Sequence, residues 1–557
     1  MKKMLRLLQQ PHHFPTNLSH IDECPTEGKR LLIMKKLILL SFALVLSWWS
    51  ANATDRYRNP VIPGFYPDPS ICRVDSDYYL VNSSFDYFPG VPLWHSRDLV
   101  NWEQIGHCLT RESQVNLSGA LSWGGIYAPT IRYNDGTFYM ITTNTTNGGN
   151  FLVYTDNPRG EWSDPVWLEQ GGIDPSLYFE DGHCYMVSNP DGGIWLCEIN
   201  PKTGKTLTPS RRIWNGTGGR YPEGPHIYKK DGYYYLLISE GGTEHAHMIT
   251  IARSPNIDGP YIGNPANPIL THCNQLGENS PIQGTGHADL VDAPDGSWWM
   301  VCLAFRPQTA MNHLTGRETY LAPVRWDTNA WPVVNGNGTI ALDMTADLPV
   351  KPAPQKEFNT DVRFSSKQPL GFEWVYLRNP LMENYQLTSN ALRLTGTSAT
   401  LNSKDLPTFV GRRQQHIGFE ATTQLKLTEG NAGDMAGLSV FMDLFAHYDI
   451  ALRREANGGN TLIVEYWLSS IHHVAKEIPL KGSKPYLRVT GSRDHYRFFY
   501  SEDGKAFTEV GVADTRYLSS ETAGGFTGII LALFCQSATD AAKPQADFYS
   551  FNYHPVN

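Results

Sequence analysis

The sequence predicts an all-β protein: a five-bladed β-propeller followed by an antiparallel β-sandwich. Three observations lead there. A polar turn followed by two bulky residues recurs five times before residue 300. The composition is rich in aromatics (12%), Gly (49) and Pro (37), as short strands joined by tight turns require. Past residue 345 the turn repeat stops and long runs of alternating apolar and polar residues begin.

At 557 residues the chain is too long for one ordinary domain. Its first segment reads as a targeting signal, not as part of the fold. Lys35 and Lys36 precede an apolar run from Leu37 to Trp49, and Ala51-Asn52-Ala53 fits the small-x-small cleavage rule. Met34 is then the expected start, and residues 1–53 are an upstream extension plus a signal peptide. The run is short and badly flanked for a membrane span, so no membrane insertion is expected. No lipid-anchoring cysteine ends the leader, which points to a bacterial periplasmic or secreted protein. Removing residues 1–53 takes away seven basic and three acidic residues and moves the net charge from −9 to about −13. No basic stripe remains for a nucleic acid backbone. Seven cysteines remain without C-x-x-C spacing, which argues against zinc and leaves disulfide pairing open.

Residues 54–344 carry the repeat and are expected to form the propeller. The turns are Asp75-Ser76-Asp77-Tyr78-Tyr79, Asp135-Gly136-Thr137-Phe138-Tyr139, Asp181-Gly182-His183-Cys184-Tyr185, Asp231-Gly232-Tyr233-Tyr234-Tyr235 and Asp295-Gly296-Ser297-Trp298-Trp299. Asp-Gly favours the tight turns that match strand twist, so each copy is a hairpin. Five hairpin-centred units imply five four-stranded blades. A sandwich with chance Asp-Gly turns is the competing reading, and the register through five copies argues against it.

Counting back seven or eight residues from each turn reaches the start of an inner strand: Asp68, Ala128 beside Tyr127, Asp174, Glu223 and His287. First strands of propeller blades line the central axis, so these positions should converge on one mouth. Asp68, Asp174 and Glu223 each sit beside proline, in "PDPS", "IDPS" and "YPEGP", which restricts the chain around the acid. Asp-Pro and Glu-Gly are also plain turn residues; three copies in register favour a shared site. Converging carboxylates repel, so one is pushed to hold its proton while another stays charged. That is a general acid and a general base, the division of labour in glycoside hydrolysis.

The segments "NPVIPGFYPDPSI", "GGIYAPTIRY", "GGIDPSLYFEDG", "RYPEGPHIYKKDGYYYLL", "GTGHADLV" and "GRETYLAPVRW" together resemble glycoside hydrolase family 43, in the family's order from about Asn59 onward. The resemblance implies a five-bladed propeller that inverts the anomeric centre and requires no cofactor. It implies Asp68 as general base, Glu223 as general acid and Asp174 as the acid that tunes and orients Glu223. It further implies substrate contacts from Arg317 in "GRET", from Phe85 in "SSFDYFPG" and from Tyr127, where xylosidase-type relatives commonly have Trp. His287 matches an axial histidine near which relatives often hold a structural Ca2+ through water. The expected partner is an oligo- or polysaccharide such as arabinoxylan, attacked from its end to release a terminal arabinofuranose or xylose. Tyr127, and the lack of a tryptophan-bearing insertion in "CYMVSNPDGGIWL", tilt the expectation toward an α-L-arabinofuranosidase. The alternatives are a β-xylosidase and a sugar-binding propeller without catalysis. An invertase-type retaining enzyme is set aside, because its Arg-Asp-Pro and Glu-Cys motifs read Ile173-Asp174-Pro175 and Glu223-Gly224 here.

Residues 345–358 are proline-rich and read as a linker. Residues 359–557 alternate in runs such as "GFEATTQLKL" and "TLIVEYWL", which predicts the sandwich as an accessory domain. The resemblance offers Phe526 in "GGFTGI" as an aromatic that the sandwich lends to the pocket rim. A purely stabilising sandwich is the other reading.

Overall fold

A computed structural model describes residues 55–275 and 280–556. The leader expected at residues 1–53 lies outside them. Five antiparallel sheets follow one another along the chain, each built from consecutive strands except that the first skips Tyr87–Phe88. The first blade is Ser70–Val74, Asp77–Val81, Gly90–Ser96 and Glu103–Leu109. The inner strands of the other four are Ile126–Asn134, Ile173–Glu180, Glu223–Lys230 and Gln283–Asp292. Each inner strand touches the next, and the fifth touches the first, so the ring closes.

The turns follow from the residues that the sequence places there. Asp75, Asp135, Asp181 and Asp231 all adopt left-handed φ values near 50°. Asp tolerates that region better than most residues, and the Gly after three of them continues the tight turn. Past the turns the second strands are apolar on both faces, because each blade is sandwiched between two others. Met140, Ile141, Leu236, Leu237, Met300 and Val301 are all buried. An N-terminal strand, Asp55–Arg58, pairs with Asp343–Ala346 at the end of the fifth blade. Asn59 ties this segment down by accepting from the Leu321 N–H at 2.9 Å and donating to the Leu321 carbonyl at 3.0 Å.

The C-terminal half is two packed antiparallel sheets. One centres on Phe419–Glu429 paired with Gln545–Pro555; its inward side chains alternate with outward ones, as the sequence pattern predicts. The other contains Met435–Asp443, which is buried along its whole length. Both of its faces are covered. Leu438 and Val440 face the core shared with the first sheet, whereas Phe441, Ala451 and Ile463 pack against Phe65, Phe85 and Tyr87 of the propeller. The propeller adds a strand to this sheet: Tyr87–Phe88 pairs with Val375–Leu377. The sandwich therefore continues directly from the loop that carries Phe85. The seven described cysteines are all free.

Inside the propeller channel, Arg132 of the second blade crosses to Asp289 of the fifth. Its Nη1 donates to Asp289 Oδ2 at 2.7 Å and its Nη2 to Oδ1 at 3.1 Å. Ser70 Oγ, the Ile71 N–H and the Leu290 N–H also donate to Asp289, at 2.6, 3.0 and 3.0 Å, as does the Tyr228 hydroxyl. These contacts outweigh burial and hold the Asp289 carboxyl well below its ordinary value. Removing one partner leaves a buried charge without compensation. Arg132→Met is expected to cost about 3–5 kcal/mol in denaturant unfolding. Arg132→Met/Asp289→Asn should recover part of that loss.

Candidate active site

Each inner strand breaks register at the same point. Ile173 pairs with Asn189 and Ser176 with Val187, so Asp174 and Pro175 stand against one residue. The same two-against-one step follows Tyr127, Glu223 and Gly286. In the first blade the Ser83 N–H donates to the Pro67 carbonyl while Ser70 pairs with Val81, which leaves Asp68 and Pro69 in the step. These are β-bulges, which bend a strand and re-aim its side chains. The first bulge residue is left-handed in every blade: Asp68 (φ 53°), Ala128 (22°), Asp174 (53°), Gly224 (57°) and His287 (39°). The second is proline in four: Pro69, Pro129, Pro175 and Pro225. A bulge residue makes no ladder bond, so the missing N–H is harmless there. The prolines fit because the ladder is interrupted beside the acids.

This corrects the expected alignment at one position. Gly224, not Glu223, is the counterpart of Asp68 and Asp174. Seven residues separate Gly224 from its turn aspartate, as in the first three blades, whereas the fifth hairpin is one residue longer. Glu223 belongs one residue nearer the mouth, level with Tyr127, Ile173 and Gly286. The shift has a consequence for access: the Glu223 side chain is 18% exposed, against 6% for Asp68 and Asp174. Gly224 is needed in the inner ring. A Cβ there would meet the His287 ring at 3.1 Å, and the Gly224 N–H donates to Asp174 Oδ2 at 3.1 Å.

The three acids share one cluster. His287 Nδ1 lies 4.0 Å from both Asp68 Oδ1 and Asp174 Oδ2. Arg317 Nη1 donates to Asp68 Oδ1 at 2.8 Å and to the Thr243 hydroxyl at 3.0 Å. Ser83 Oγ donates to the other Asp68 oxygen at 2.6 Å. Burial alone would raise Asp68, but Arg317, His287 and Ser83 outweigh it and hold the carboxyl below its ordinary value. The Glu223 side chain makes no hydrogen bond among the described residues; its near neighbour is His247 Nε2 at 3.5 Å from Oε1. Burial pushes Glu223 up to about 7, against His287 and Arg317 and aided by the Asp68 charge. Asp174 is raised as well, by burial and by the Glu223 and Asp68 charges, although His287 and the Gly224 N–H oppose this. Asp174 and Glu223 thus keep a proton near neutrality while Asp68 stays charged.

The sequence-derived aromatics meet around this cluster. Phe85 lies 5.2 Å from Tyr127 and 5.5 Å from Phe526, ring centre to centre. The Arg317 guanidinium stands 5.5 Å over Phe85 and 5.1 Å over Phe526. The sandwich therefore contributes a ring to the pocket wall. Its loop is pinned by Glu521, which accepts from the His313 N–H at 3.1 Å and lies 2.6 Å from His313 Nδ1.

Sequence reasoning missed Ser83, Thr243, His247 and the Arg132–Asp289 pair. Ser83 follows the strand paired with the Asp68 strand, so hairpin register alone would have found it. His247 carries no motif of its own. Its place shows in Gly286, where a Cβ would fall 2.1 Å from the imidazole. Arg317 Nε and Nη2 and both His247 ring nitrogens are buried without partners among the described residues.

Calcium takes about six to eight oxygen ligands. Beneath His287 the Asp289 oxygens already accept from Ser70, Ile71, Arg132, Tyr228 and Leu290, and the Arg132 guanidinium supplies positive charge to the channel. Asp289 therefore has no oxygen to spare, and a calcium near His287 would have to be held through water. Among the described residues no group of three or more His, Cys, Asp or Glu side chains is arranged to hold a metal.

Two family models match the chain. "Glycosyl hydrolases family 43" covers residues 57–332, and "Beta xylosidase C-terminal Concanavalin A-like domain" covers residues 361–554. A non-reducing end α-L-arabinofuranosidase of Bacteroides ovatus is 39% identical over 92% of this chain and 97% of its own. A xylosidase/arabinosidase of Butyrivibrio fibrisolvens is 38% identical over 90% of this chain and 99% of its own. Among solved structures, a family 43 protein of Bacteroides ovatus superposes with a TM-score of 0.84 at 39% identity, over 90% of this chain and all of that one. A family 43 protein of Bacillus licheniformis gives a TM-score of 0.84 at 34% identity, with the same coverage.

Proposed function

The chain belongs to glycosyl hydrolases family 43, and on that premise we propose that it is an exo-acting, inverting hydrolase that releases a terminal pentose from a plant-type glycan. One arrangement carries the mechanism: Asp68, held by Arg317 at 2.8 Å, and Glu223, with no side-chain partner, belong to one cluster, where their surroundings give them opposite protonation preferences. Asp68, gripped by Arg317 and Ser83, is the base. It takes a proton from a water that attacks the anomeric carbon. Glu223, raised and nearer the mouth, is the acid. It gives its proton to the glycosidic oxygen as the C–O bond breaks, and the leaving sugar departs on the exposed side. Inverting enzymes keep their two carboxyls about 6.5–9.5 Å apart to admit the water. Asp174 faces both acids through His287 and the Gly224 N–H, which suits a group that keeps Glu223 protonated and oriented.

Arg317, with two unpaired donor nitrogens, is the group to hold sugar hydroxyls. Phe85, Tyr127 and Phe526 supply the apolar wall. The ring that the sandwich packs beside Phe85 and Tyr127 favours a single terminal residue over an internal one. We lean toward α-L-arabinofuranose as that residue. Tyr127 stands where xylosidase-type relatives commonly carry Trp, and the Bacteroides ovatus relative is described as an arabinofuranosidase. β-D-Xylose is the second reading, supported by the xylosidase/arabinosidase relative. A binding module without catalysis would not need one acid held charged and another held protonated. The leader at residues 1–53 supports export to the periplasm or beyond.

Glu223→Gln should lower kcat by about 10²–10⁴-fold on substrates with poor leaving groups and far less on a dinitrophenyl pentoside, whose leaving group needs no proton. Equal loss on both would remove Glu223 from the acid role. The pH profile of kcat/KM follows from the two directions. Asp68 lies below its ordinary value, so the base is lost only as pH falls through that lowered pKa. Glu223 lies near 7, so the acid is lost as pH rises through about 7. A bell with its alkaline limb near pH 7 is expected, and Glu223→Gln should abolish that limb.

A further inference from the structure

Tyr221 sits two residues ahead of Glu223 and is 62% exposed. Its φ is 51°, in the left-handed region. That conformation is strained for a bulky side chain, and such strain persists where the surroundings impose it, most often at functional sites. The surroundings here do impose it. Asn189 donates its amide to the Pro222 carbonyl. The Gly241 N–H donates to the Arg220 carbonyl at 2.7 Å, and Arg220 Nη2 returns a bond to the Gly241 carbonyl at 2.9 Å. The Arg220 guanidinium backs the Tyr221 ring at 5.5 Å.

The ring has a defined place. It passes over Gly242, where a Cβ would approach Tyr221 Cδ2 to 3.1 Å. Gly242 precedes Thr243, the hydroxyl that Arg317 contacts while holding Asp68. The Tyr221 ring therefore lies at the pocket rim on the Glu223 side. Around Phe85 the wall is made by Tyr127 and Phe526, with Gly525 packed against Trp123. On the Tyr221 side the adjacent hairpin of the third blade ends in a short turn, residues 190–193. Core packing does not account for a ring this exposed, and stability alone would favour glycine at φ 51°.

We propose that Tyr221 is the platform for the leaving-group sugar, and that the substrate is accordingly a terminal pentose borne on a longer glycan chain. The proposal rests on Glu223 as the general acid. A proton donor must lie beside the glycosidic oxygen, so the next sugar lies just outside Glu223, where the Tyr221 face is exposed. The apolar C–H face of a pyranose packs on an aromatic ring and leaves its hydroxyls to solvent. Tyr221 acts here as a positioning residue for the departing sugar and takes no proton.

The test compares two substrates with one pentose: a methyl pentoside, which has no leaving-group sugar, and an oligosaccharide with the same pentose at its end. Tyr221→Ala should lower kcat/KM on the oligosaccharide by roughly tenfold more than on the methyl pentoside. Tyr221→Phe should keep the wild-type ratio, because the ring face is retained. Tyr221→Gly should show the same selective loss with a thermal midpoint at or above wild type, since glycine relieves the backbone. Equal losses on both substrates, or no loss on the oligosaccharide, would overturn the platform. Wild-type protein inactive on every pentoside would instead overturn the hydrolase reading and this proposal with it.

Discussion

The bulge at the top of each inner strand is the constraint from which the site follows. A straight ladder would send alternate side chains to opposite faces and leave no ring of equivalent groups at the axis. One extra residue per strand, in left-handed conformation, turns Asp68, Asp174 and His287 toward one point and leaves Gly224 as the gap into which the imidazole fits. The same bulge lifts Glu223 one layer toward solvent. Partners, not depth alone, then separate the roles. Asp68 meets a guanidinium and a hydroxyl and stays ionised, whereas the equally buried Asp174 meets neither and is raised. The shallower Glu223 meets no donor and stays protonated. Like charges in a dry site would otherwise destabilise one another.

The sandwich takes part in this arrangement through continuity of backbone as well as through packing. Its sheet extends onto the propeller through Tyr87–Phe88, which begins two residues after Phe85. Phe526 joins Phe85 and Tyr127 from the sandwich, and Glu521 ties the loop that bears it to His313. The two halves share a core of Phe65, Phe85, Tyr87, Phe441, Ala451 and Ile463. Interdomain motion would open that core, so the pocket wall is expected to be rigid on this side.

Much of this was legible because it is written in local chemistry. Asp-Gly turns announce hairpins within five residues, and their repetition announces the propeller. The acids were legible from their proline neighbours, though for an incomplete reason: the prolines mark interrupted ladders. What escaped was set by pairing between distant strands. The one-residue offset of Glu223 depends on where its ladder slips, which no local signal records. Arg132 and Asp289 are 157 residues apart and meet only once the ring closes. Met435–Asp443 is buried on both faces, so the alternation expected of a sandwich strand is absent there. Phe526 was reached through family resemblance and not through any pattern in its own segment.

The central claim is that one pocket holds a carboxyl that stays charged beside a carboxyl that stays protonated. Carboxyl titration by difference infrared spectroscopy, comparing wild type with Glu223→Gln and Asp68→Asn, tests it most directly. The account predicts two carboxyls that titrate near neutrality, Asp174 and Glu223, of which Glu223→Gln removes one, together with an Asp68 signal that remains ionised below the ordinary carboxylate range. Asp68 and Glu223 titrating together at ordinary carboxylate values would contradict it.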